Sequence, residues 1–320
     1  MSVAVVERAP MSPDLAECYR QCRELNAQHG RTYYLATRLL PASRRPAVHA
    51  LYGFARLVDE IVDATDDPRP WPERAAELDA VAAELRSGLT GSGPAPVTPV
   101  VRAVCDTAQR YTIEPQLFED FLSSMRMDAV GSDTQVDEYA DLAQLTTYMY
   151  GSASVIGLQM LPVLGTVVRR EVAAPFASDL GIAFQLTNFL RDVGEDLDRG
   201  RVYLPADTLA AFGVDRQLLA ELRASGRSDP RVRRALAHLV ALTRSTYRAA
   251  EPGVDMLQPD ARRCVRAAFT LYSDILGEIE RADYDVLSHR VVVPRRRRLR
   301  VAAPLLARSL VRAPSLGRGA

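Results

Sequence analysis

Apolar positions along this chain recur with the spacing of amphipathic helices, and one of these helices carries an oxygen-rich stripe. In the segment 169–198, four polar residues fall within roughly 80° of one another, because a helix advances about 100° per residue. The stripe consists of Gln185, Asn188, Asp192 and Asp196. The adjacent flank is apolar and consists of Leu186, Phe189, Leu190, Val193 and Leu197. We therefore predict a helix over about 169–198.

A second helix, predicted over about 43–64, repeats this design far away in sequence. Its polar stripe is again about 80° wide and consists of His49, Tyr52, Arg56, Asp59 and Asp63. The opposite side is apolar and consists of Leu51, Phe54, Leu57, Val58 and Ile61. Each of the two helices therefore carries a pair of aspartates four positions apart on one face.

The paired aspartates predict a metal site. Two carboxylates one helical turn apart repel each other unless a positive group lies between them. Carboxylate and amide oxygens suit Mg²⁺, which keeps bound waters and meets substrate phosphates. The alternative is a solvated acidic helix end that is neutralised by Arg191, Arg199 and Arg201. Two such helices favour metal binding: if they face each other, four carboxylates converge on one cavity, and the metals there would attract a polyanion such as diphosphate.

The rest of the chain also predicts helices and almost no sheet, since period-2 runs are absent. Further helices are expected at about 13–28, 72–86, 99–110, 115–128, 136–164, 215–224, 229–251 and 259–282, with a short helix before Pro41. We expect an all-α, single-domain helical bundle around a central cavity, formed by 13–293. A flexible leader, 1–12, precedes it, and a basic tail, 294–320, follows. The tail is either disordered or an amphipathic segment on an anionic membrane surface.

Composition narrows the class of protein. Hydrophobic residues make up 48% and charged residues 25%, as in a globular protein with a large core. The net charge of zero argues against nucleic-acid binding. The apolar run 155–168 is too short to span a bilayer, and the N-terminus lacks a secretion signal. Scattered cysteines at 18, 22, 105 and 264 indicate reduced core thiols. We expect a cytoplasmic protein, with peripheral contact at the inner face of the membrane as an extension through the tail.

Several segments resemble the squalene/phytoene synthase family, and its bacterial phytoene synthase branch in particular. The two aspartate pairs lie in Asp-Glu-Ile-Val-Asp at 59–63 and in Asn-Phe-Leu-Arg-Asp-Val-Gly-Glu-Asp at 188–196, which Arg-Gly-Arg-Val-Tyr-Leu-Pro follows at 199–205. The segments 33–41 and 284–288 also resemble that branch. The resemblance covers about 15–295 and implies an isoprenoid-synthase-type helical fold.

The resemblance implies roles for individual residues. A cluster of Mg²⁺, which Mn²⁺ can replace, would be held by Asp59, Asp63, Asn188, Asp192 and Asp196. Catalytic roles, as phosphate clamps or in orienting substrate and stabilising a cation, are implied for Arg56, Tyr150, Gln185, Arg191 and Tyr203. Substrate-binding roles are implied for Thr32, Tyr52, Tyr148, Tyr272 and Arg290.

Some of these assignments leave alternatives. Tyr148 and Tyr150 both match the family's active-site phenol, and Tyr150 is favoured. The small residues of 148–157 indicate either close helix packing or the wall of a channel for an isoprenoid tail. Tyr272 is either a site residue or a core phenol. Two positions depart from the family pattern: Gly30 stands at a usual Ser, and either His289 or Arg290 occupies the place of a family Arg.

The function implied by the resemblance is that of a phytoene synthase of carotenoid biosynthesis. Such an enzyme condenses two geranylgeranyl diphosphates head to head through a cyclopropyl diphosphate, with magnesium and without NADPH. One alternative is a squalene or dehydrosqualene synthase that uses farnesyl diphosphate. Another, of a different class, is a non-catalytic helical assembly factor of the same fold.

Overall fold

The fold is built from helices, as the sequence predicts. The structure, a computed structural model, describes residues 11–62, 69–129, 131–294, 296, 297, 300 and 301. Within these ranges the backbone forms no strand, and extended segments pair only in two isolated bridges, Glu138 with Val202 and Thr166 with Leu257. The all-α prediction is confirmed.

The helices follow one another along the chain with short connections. In order they are α1 (Pro13–His29), α2 (Arg31–Thr37), α3 (Arg45–Val62), α4 (Trp71–Thr90), α5 (Pro99–Tyr111), α6 (Gln116–Met127), α7 (Leu142–Met149), a π-helical turn (Tyr150–Ser154), α8 (Val155–Leu164), α9 (Arg170–Asp198), α10 (Ala206–Ala211), α11 (Arg216–Ser225), α12 (Pro230–Ala250), α13 (Pro252–Met256) and α14 (Pro259–Arg281).

Short polar side chains fix where several helices begin. Ser12 accepts a hydrogen bond from the Leu15 backbone N–H at 3.3 Å, and Asp215 accepts one from Leu218 at 2.8 Å. Each satisfies a backbone donor that lacks a partner in the first turn. These caps explain why the starts of α1 and α11 lie within one residue of the sequence-based predictions.

The single helix predicted over 136–164 is wrong in its first part and interrupted in its middle. The helix starts only at Leu142, because the Asp141 side chain caps it through the Gln144 backbone N–H at 2.8 Å. The preceding residues instead receive hydrogen bonds from the segment after α9, as in Val202 N–H to the Asp137 carbonyl at 2.8 Å. The π-helical turn then inserts an extra residue between α7 and α8.

Helix α9 occupies the centre of the bundle. It packs on one side against α8 and the π-helical turn, and on the other against α12 and α14. Its apolar flank is buried as predicted, with Leu186, Phe189, Leu190 and Val193 each at most 7% exposed. Helix α3 holds a corresponding place in a second group of buried residues, between α1 and α5.

Two glycines let α8 and the π-helical turn touch the backbone of α9. A Cβ on Gly157 would lie 2.1 Å from the Ala177 carbonyl oxygen, and a Cβ on Gly181 would lie 2.3 Å from the Ala153 carbonyl oxygen. Neither distance is sterically allowed, so the small residues here serve close helix packing.

The remaining predictions concern the cysteines, membrane-spanning helices and the two ends of the chain. All four cysteines are buried and unpaired, as expected for core thiols. No helix in the described part of the chain is both long and apolar enough to cross a membrane. The leader is described only at Met11 and Ser12, and little of the basic tail is described, so the proposed domain ends remain predictions.

Replacing Gly157 with Ala should lower the free energy of unfolding by about 1–3 kcal/mol, because the added methyl group overpacks the α8–α9 contact. Urea denaturation followed by circular dichroism would measure the change. Gly277→Ala in α14 is the matched control. Its Cβ would meet only the Arg281 guanidinium, at 3.7 Å, and the helix should gain up to about 1 kcal/mol. Equal stability of Gly157→Ala and wild type would contradict the close packing.

Candidate active site

The polar stripes of α3 and α9 face each other across one cavity of about 370 Å³. Helix α3 contributes Tyr52, Arg56 and Asp59, and α9 contributes Gln185, Asn188, Asp192 and Asp196. The stripe positions that lie four residues apart in each helix point to the same side, so each helix presents several polar side chains to this chamber. Asp63, the remaining predicted metal ligand, lies outside the described residues.

Arginines neutralise the carboxylates of the cavity. Arg56 places its Nη1 atom 2.6 Å from Asp59 Oδ2 and its Nε atom 2.9 Å from Glu60 Oε1. Arg191 binds both oxygens of Asp192, with distances of 2.7 and 2.5 Å. Burial disfavours the charged form of Arg191, but the Asp192 carboxylate outweighs burial and raises its pKa. Each of these acids therefore has a guanidinium partner; Arg56 lines the cavity, whereas Arg191 does not.

Arg290 joins this group from a distant part of the chain. Its Nε atom lies 3.0 Å from Asp192 Oδ1, and its Nη1 atom lies 3.4 Å from Glu195 Oε2. His289 points elsewhere: its side chain is 81% exposed and pairs with Asp285 at 3.3 Å. Of the two residues that the sequence left open, Arg290 is the one beside the acids.

The donor set of the cavity fits Mg²⁺. Asn188 lines the cavity, and its Oδ1 atom is buried without a hydrogen-bond partner, while its amide nitrogen donates to Gln185 at 3.4 Å. No three His, Cys, Asp or Glu side chains in the described ranges converge tightly enough to hold an ion by themselves. The carboxylate and amide oxygens at the cavity suit Mg²⁺, which commonly takes one or two protein carboxylates and completes its shell with water and substrate phosphates.

A buried acid and two phenols form another wall of the cavity. The Tyr148 hydroxyl donates to Asp128 Oδ2 at 2.5 Å, and the Tyr203 hydroxyl donates to Asp128 Oδ1 at 2.8 Å. Asp128 is 5% exposed. Burial, followed by the negative charge of Asp128, raises the pKa of both phenols well above the usual value. Asp128 is not among the residues predicted from the sequence, because a lone Asp after a helix end carries no motif.

Tyr148 lines the cavity and Tyr150 does not. Tyr148, Ser152 and Ile156 all line it at intervals of four residues. Tyr150 follows Tyr148 by two positions, about 200° around a helix. It is 47% exposed, and burial together with Asp120 raises its pKa. The sequence-based preference for Tyr150 is therefore corrected: the phenol at the site is Tyr148.

A second cavity of about 310 Å³ adjoins the first and is mainly apolar. The two share Tyr52, Ala55, Ser152, Ile156, Gln185 and Asn188 along their boundary. Its other walls come largely from α3, α8 and α9, including Leu51, Met160, Leu164 and Phe184. Gly157 and Gly181 also line it, so the small residues serve both the helix contact and the cavity. A polar chamber thus opens onto a space suited to an apolar chain.

The remaining predicted substrate residues lie behind or beside the walls. Tyr272 lines neither cavity; its ring packs 5.0 Å from the Tyr33 ring and 4.6 Å from the Phe184 ring, both of which line the apolar cavity. This position favours the interpretation of Tyr272 as a core phenol. Thr32 also lines neither cavity.

Gly30, where the family usually has Ser, has a packing role. A Cβ at this position would lie 2.7 Å from the ring of Tyr52 and 2.8 Å from Asn26 Oδ1. The glycine therefore leaves room for Tyr52, whose side chain separates the polar cavity from the apolar one.

Relatives of this chain are phytoene synthases. It is 37% identical to a phytoene synthase of Arthrospira platensis over 291 residues, which is 87% of this chain and 89% of that one. It is 36% identical to the 15-cis-phytoene synthase of Synechococcus elongatus over 296 residues, 89% of this chain and 91% of that one.

Solved structures share the fold. A dehydrosqualene synthase in complex with a ligand superposes with a TM-score of 0.79 at 24% identity, over 93% of this chain and 98% of that one. A squalene synthase from Alicyclobacillus acidocaldarius gives 0.73 at 25% identity, over 86% and 97%. The family model for squalene/phytoene synthase matches residues 26–297. Together with the paired acid stripes around one cavity, this match establishes that the chain belongs to the squalene/phytoene synthase family.

Proposed function

We propose that this protein is a phytoene synthase, a prenyltransferase that joins two geranylgeranyl diphosphates head to head through a cyclopropyl diphosphate. The observation that carries the proposal is the junction of two cavities. The polar one is lined by acids from α3 and α9 and by Arg56, Arg199 and Arg201, and the apolar one adjoins it along Tyr52 and Ser152. A molecule with a diphosphate head and a long hydrocarbon tail matches both halves at once.

The polar half would bind the diphosphate and help it to leave. Asp59, Asn188, Asp192 and Asp196 would hold Mg²⁺, which supplies charge to stabilise the departing diphosphate. Arg56 and Arg191 would bind phosphate oxygens bidentately. Both guanidinium groups contact carboxylates, so a phosphate would replace or share those partners.

The apolar half would hold the hydrocarbon chain and exclude water. Departure of the diphosphate leaves an allylic cation, which water would convert to an alcohol. Aliphatic and aromatic side chains such as Leu51, Met160 and Phe184 line this part. The aromatic face of Tyr52, at the boundary, would stabilise the cation next to the diphosphate.

The identity of the substrate is the finer part of the proposal. The curated relatives quoted above are phytoene synthases at 36–37% identity, which supports geranylgeranyl diphosphate and a reaction without NADPH. A squalene or dehydrosqualene synthase acting on farnesyl diphosphate would use the same polar cavity and is the second candidate. A non-catalytic assembly factor would have no use for a polar chamber that combines arginines with carboxylates.

The setting of the reaction is also proposed. We expect a cytoplasmic protein whose basic tail contacts the inner face of the membrane, because substrates and product are lipids. Most of that tail lies outside the described residues; within it, Arg297 pairs with Asp274 of α14 at 2.8 Å.

Incubation of the protein with geranylgeranyl diphosphate and Mg²⁺ should give phytoene without NADPH, detected by mass spectrometry of the extracted hydrocarbons. EDTA should abolish product, and added Mg²⁺ or Mn²⁺ should restore it. Squalene formed only from farnesyl diphosphate with NADPH would replace the proposal with the second candidate. No product from either substrate would favour the assembly factor.

Asp192→Asn should reduce turnover by about 10²- to 10³-fold, because it removes charge where the leaving diphosphate is stabilised. Asp198→Asn, near the end of the same helix, is the matched control. Asp198 pairs with Arg223 at 2.6 Å and does not line the cavity. Its variant should retain turnover within about twofold of wild type, as expected for a surface substitution. Similar activities of the two variants would contradict the assignment of the polar stripe.

Tyr148→Phe should lower turnover by about tenfold or more, whereas Tyr150→Phe should not change it, because only the Tyr148 hydroxyl lies at the cavity. Initial rates of phytoene formation by the two folded variants would measure the difference. A larger loss in Tyr150→Phe would restore the assignment made from the sequence.

A further inference from the structure

Ser152 places a hydroxyl at the boundary between the polar and the apolar cavity, and the diphosphate site described above does not use it. The residue lines both cavities. Its Oγ atom is buried and has no hydrogen-bond partner within the described part of the chain. A buried polar atom without a partner raises the free energy of the folded state. The unpaired hydroxyl therefore marks a place where a bound molecule can supply the partner.

Other hydroxyls in the helices of this protein bond to their own backbone, as helical Ser and Thr commonly do. Three of them donate to the carbonyl oxygen four residues earlier, at 2.7, 2.7 and 2.8 Å for Thr146, Thr187 and Thr243. Ser152 forms no such bond. It lies in the middle of the π-helical turn, where the Val155 N–H reaches back five residues to the Tyr150 carbonyl. Turns of this kind are rare and are frequent at functional sites.

Close backbone packing holds this turn in place on two sides. A Cβ on Gly151 would lie 2.3 Å from the Asp120 carbonyl oxygen in α6. On the other side, a Cβ on Gly181 of α9 would lie 2.3 Å from the Ala153 carbonyl oxygen. The turn is thus seated between α6 and α9, so the position of the Ser152 hydroxyl is fixed relative to the polar stripe of α9.

The boundary of the cavities is also where the reacting bond of a prenyl diphosphate would lie. With the diphosphate in the polar cavity and the hydrocarbon chain in the apolar one, the carbon–oxygen bond between them crosses the boundary. When this bond breaks, its electron pair stays on the bridging oxygen of the diphosphate, and the carbon becomes an allylic cation. A hydrogen-bond donor at the bridging oxygen therefore stabilises the transition state more than the bound substrate.

We propose that the Ser152 hydroxyl donates a hydrogen bond to the bridging oxygen of the departing diphosphate. The proton remains on the serine, so the step needs no acid, oxidant or reductant. Because the hydroxyl is neutral, it can lie beside an apolar cavity at a lower desolvation cost than a charged donor. Arg56 lines only the polar cavity, whereas Ser152 lines both, so the two donors reach different oxygens of one diphosphate.

Ser152→Ala tests the proposal, which rests on the prenyl diphosphate chemistry proposed above. The single-turnover rate of diphosphate release from geranylgeranyl diphosphate should fall about tenfold, because the donor acts where negative charge develops. The KM should stay within about twofold of wild type. Inhibition by geranylgeranyl thiolodiphosphate, in which sulfur replaces the bridging oxygen, is the second readout. Its inhibition constant should also stay within about twofold, since sulfur is a weak hydrogen-bond acceptor.

Three further variants separate the hydroxyl from the shape of the wall. Ser154→Ala is the matched control, because Ser154 lies in the same π-helical turn, is 1% exposed and lines neither cavity. Its rate of diphosphate release should stay within about twofold of wild type. Ser152→Thr keeps a hydroxyl and should recover part of the lost rate. Ser152→Val has nearly the shape of the Thr variant without the hydroxyl, and should not recover it.

Several outcomes would overturn the proposal. If Ser152→Ala releases diphosphate at the wild-type rate, the hydroxyl does not act on the leaving group. If Ser152→Ala and Ser154→Ala slow release equally, or if the inhibition constant of the sulfur analogue rises as the rate falls, Ser152 only supports the wall. Equal rates of Ser152→Thr and Ser152→Val count against the hydroxyl in the same way, even if the Ala variant fails to fold. Absence of diphosphate release by the wild type would instead refute the proposed function itself.

Discussion

The central constraint on this structure is electrostatic: carboxylates from two helices face one another across a partly desolvated chamber. Like charges at this density raise the free energy of the folded state unless cations lie among them. Arg56, Arg191 and Arg290 supply those cations, through contacts of 2.5 to 3.0 Å with Asp59 and Asp192. These guanidinium groups therefore stabilise the folded state, and Arg56 among them also lines the chamber.

The position of α9 links this chamber to the core. One flank of the helix is buried against α12 and α14, while the other face carries the oxygen-rich stripe and the boundary of the apolar cavity. Gly181 lets the π-helical turn contact α9, and Gly157 lets α8 do so, which brings the apolar wall close to the polar stripe. The polar and the apolar cavity therefore adjoin along residues of α9, and α3 and the segment around Ser152 complete their boundary.

The wall around Asp128 shows how the fold uses buried polar groups. Tyr148 and Tyr203 approach from different segments, and both donate to one carboxylate. A buried carboxylate is costly unless it is hydrogen-bonded, so the two phenols stabilise it. The rings in turn pack against each other and against Phe189, which stacks on Tyr203 with centroids 4.3 Å apart. Hydrogen bonds to the carboxylate and packing of the aromatic rings thus hold the same part of the cavity wall in place.

The local pattern of apolar and polar residues was enough to predict the main helices and their polar faces. Helical spacing located α9 within one residue at each end and the start of α3 within two residues, because positions three and four apart share a face in any α-helix. It also selected the stripe residues that line the cavity, except that His49 is buried beside Asn26 and does not line it, and Asp63 lies outside the described residues. Capping side chains likewise set the starts of α1 and α11. The resemblance of the two acidic segments to a known family was sufficient to anticipate the all-α fold, and the metal-binding roles that it implies remain predictions.

The tertiary structure determined the contacts between distant residues, which the local sequence pattern cannot predict. Tyr148 and Tyr150 are equivalent by motif, but the rotation of α7 into the π-helical turn leaves Tyr150 outside the cavity. Arg290 and Asp192 are 98 positions apart, and Asp128 and Tyr203 are 75 apart. Such pairs form only when the chain packs, so neither their periodicity nor their neighbours in sequence reveal them. Short segments such as α10 and α13 were also missed, since a helix of one or two turns owes its stability to tertiary contacts rather than to its own pattern.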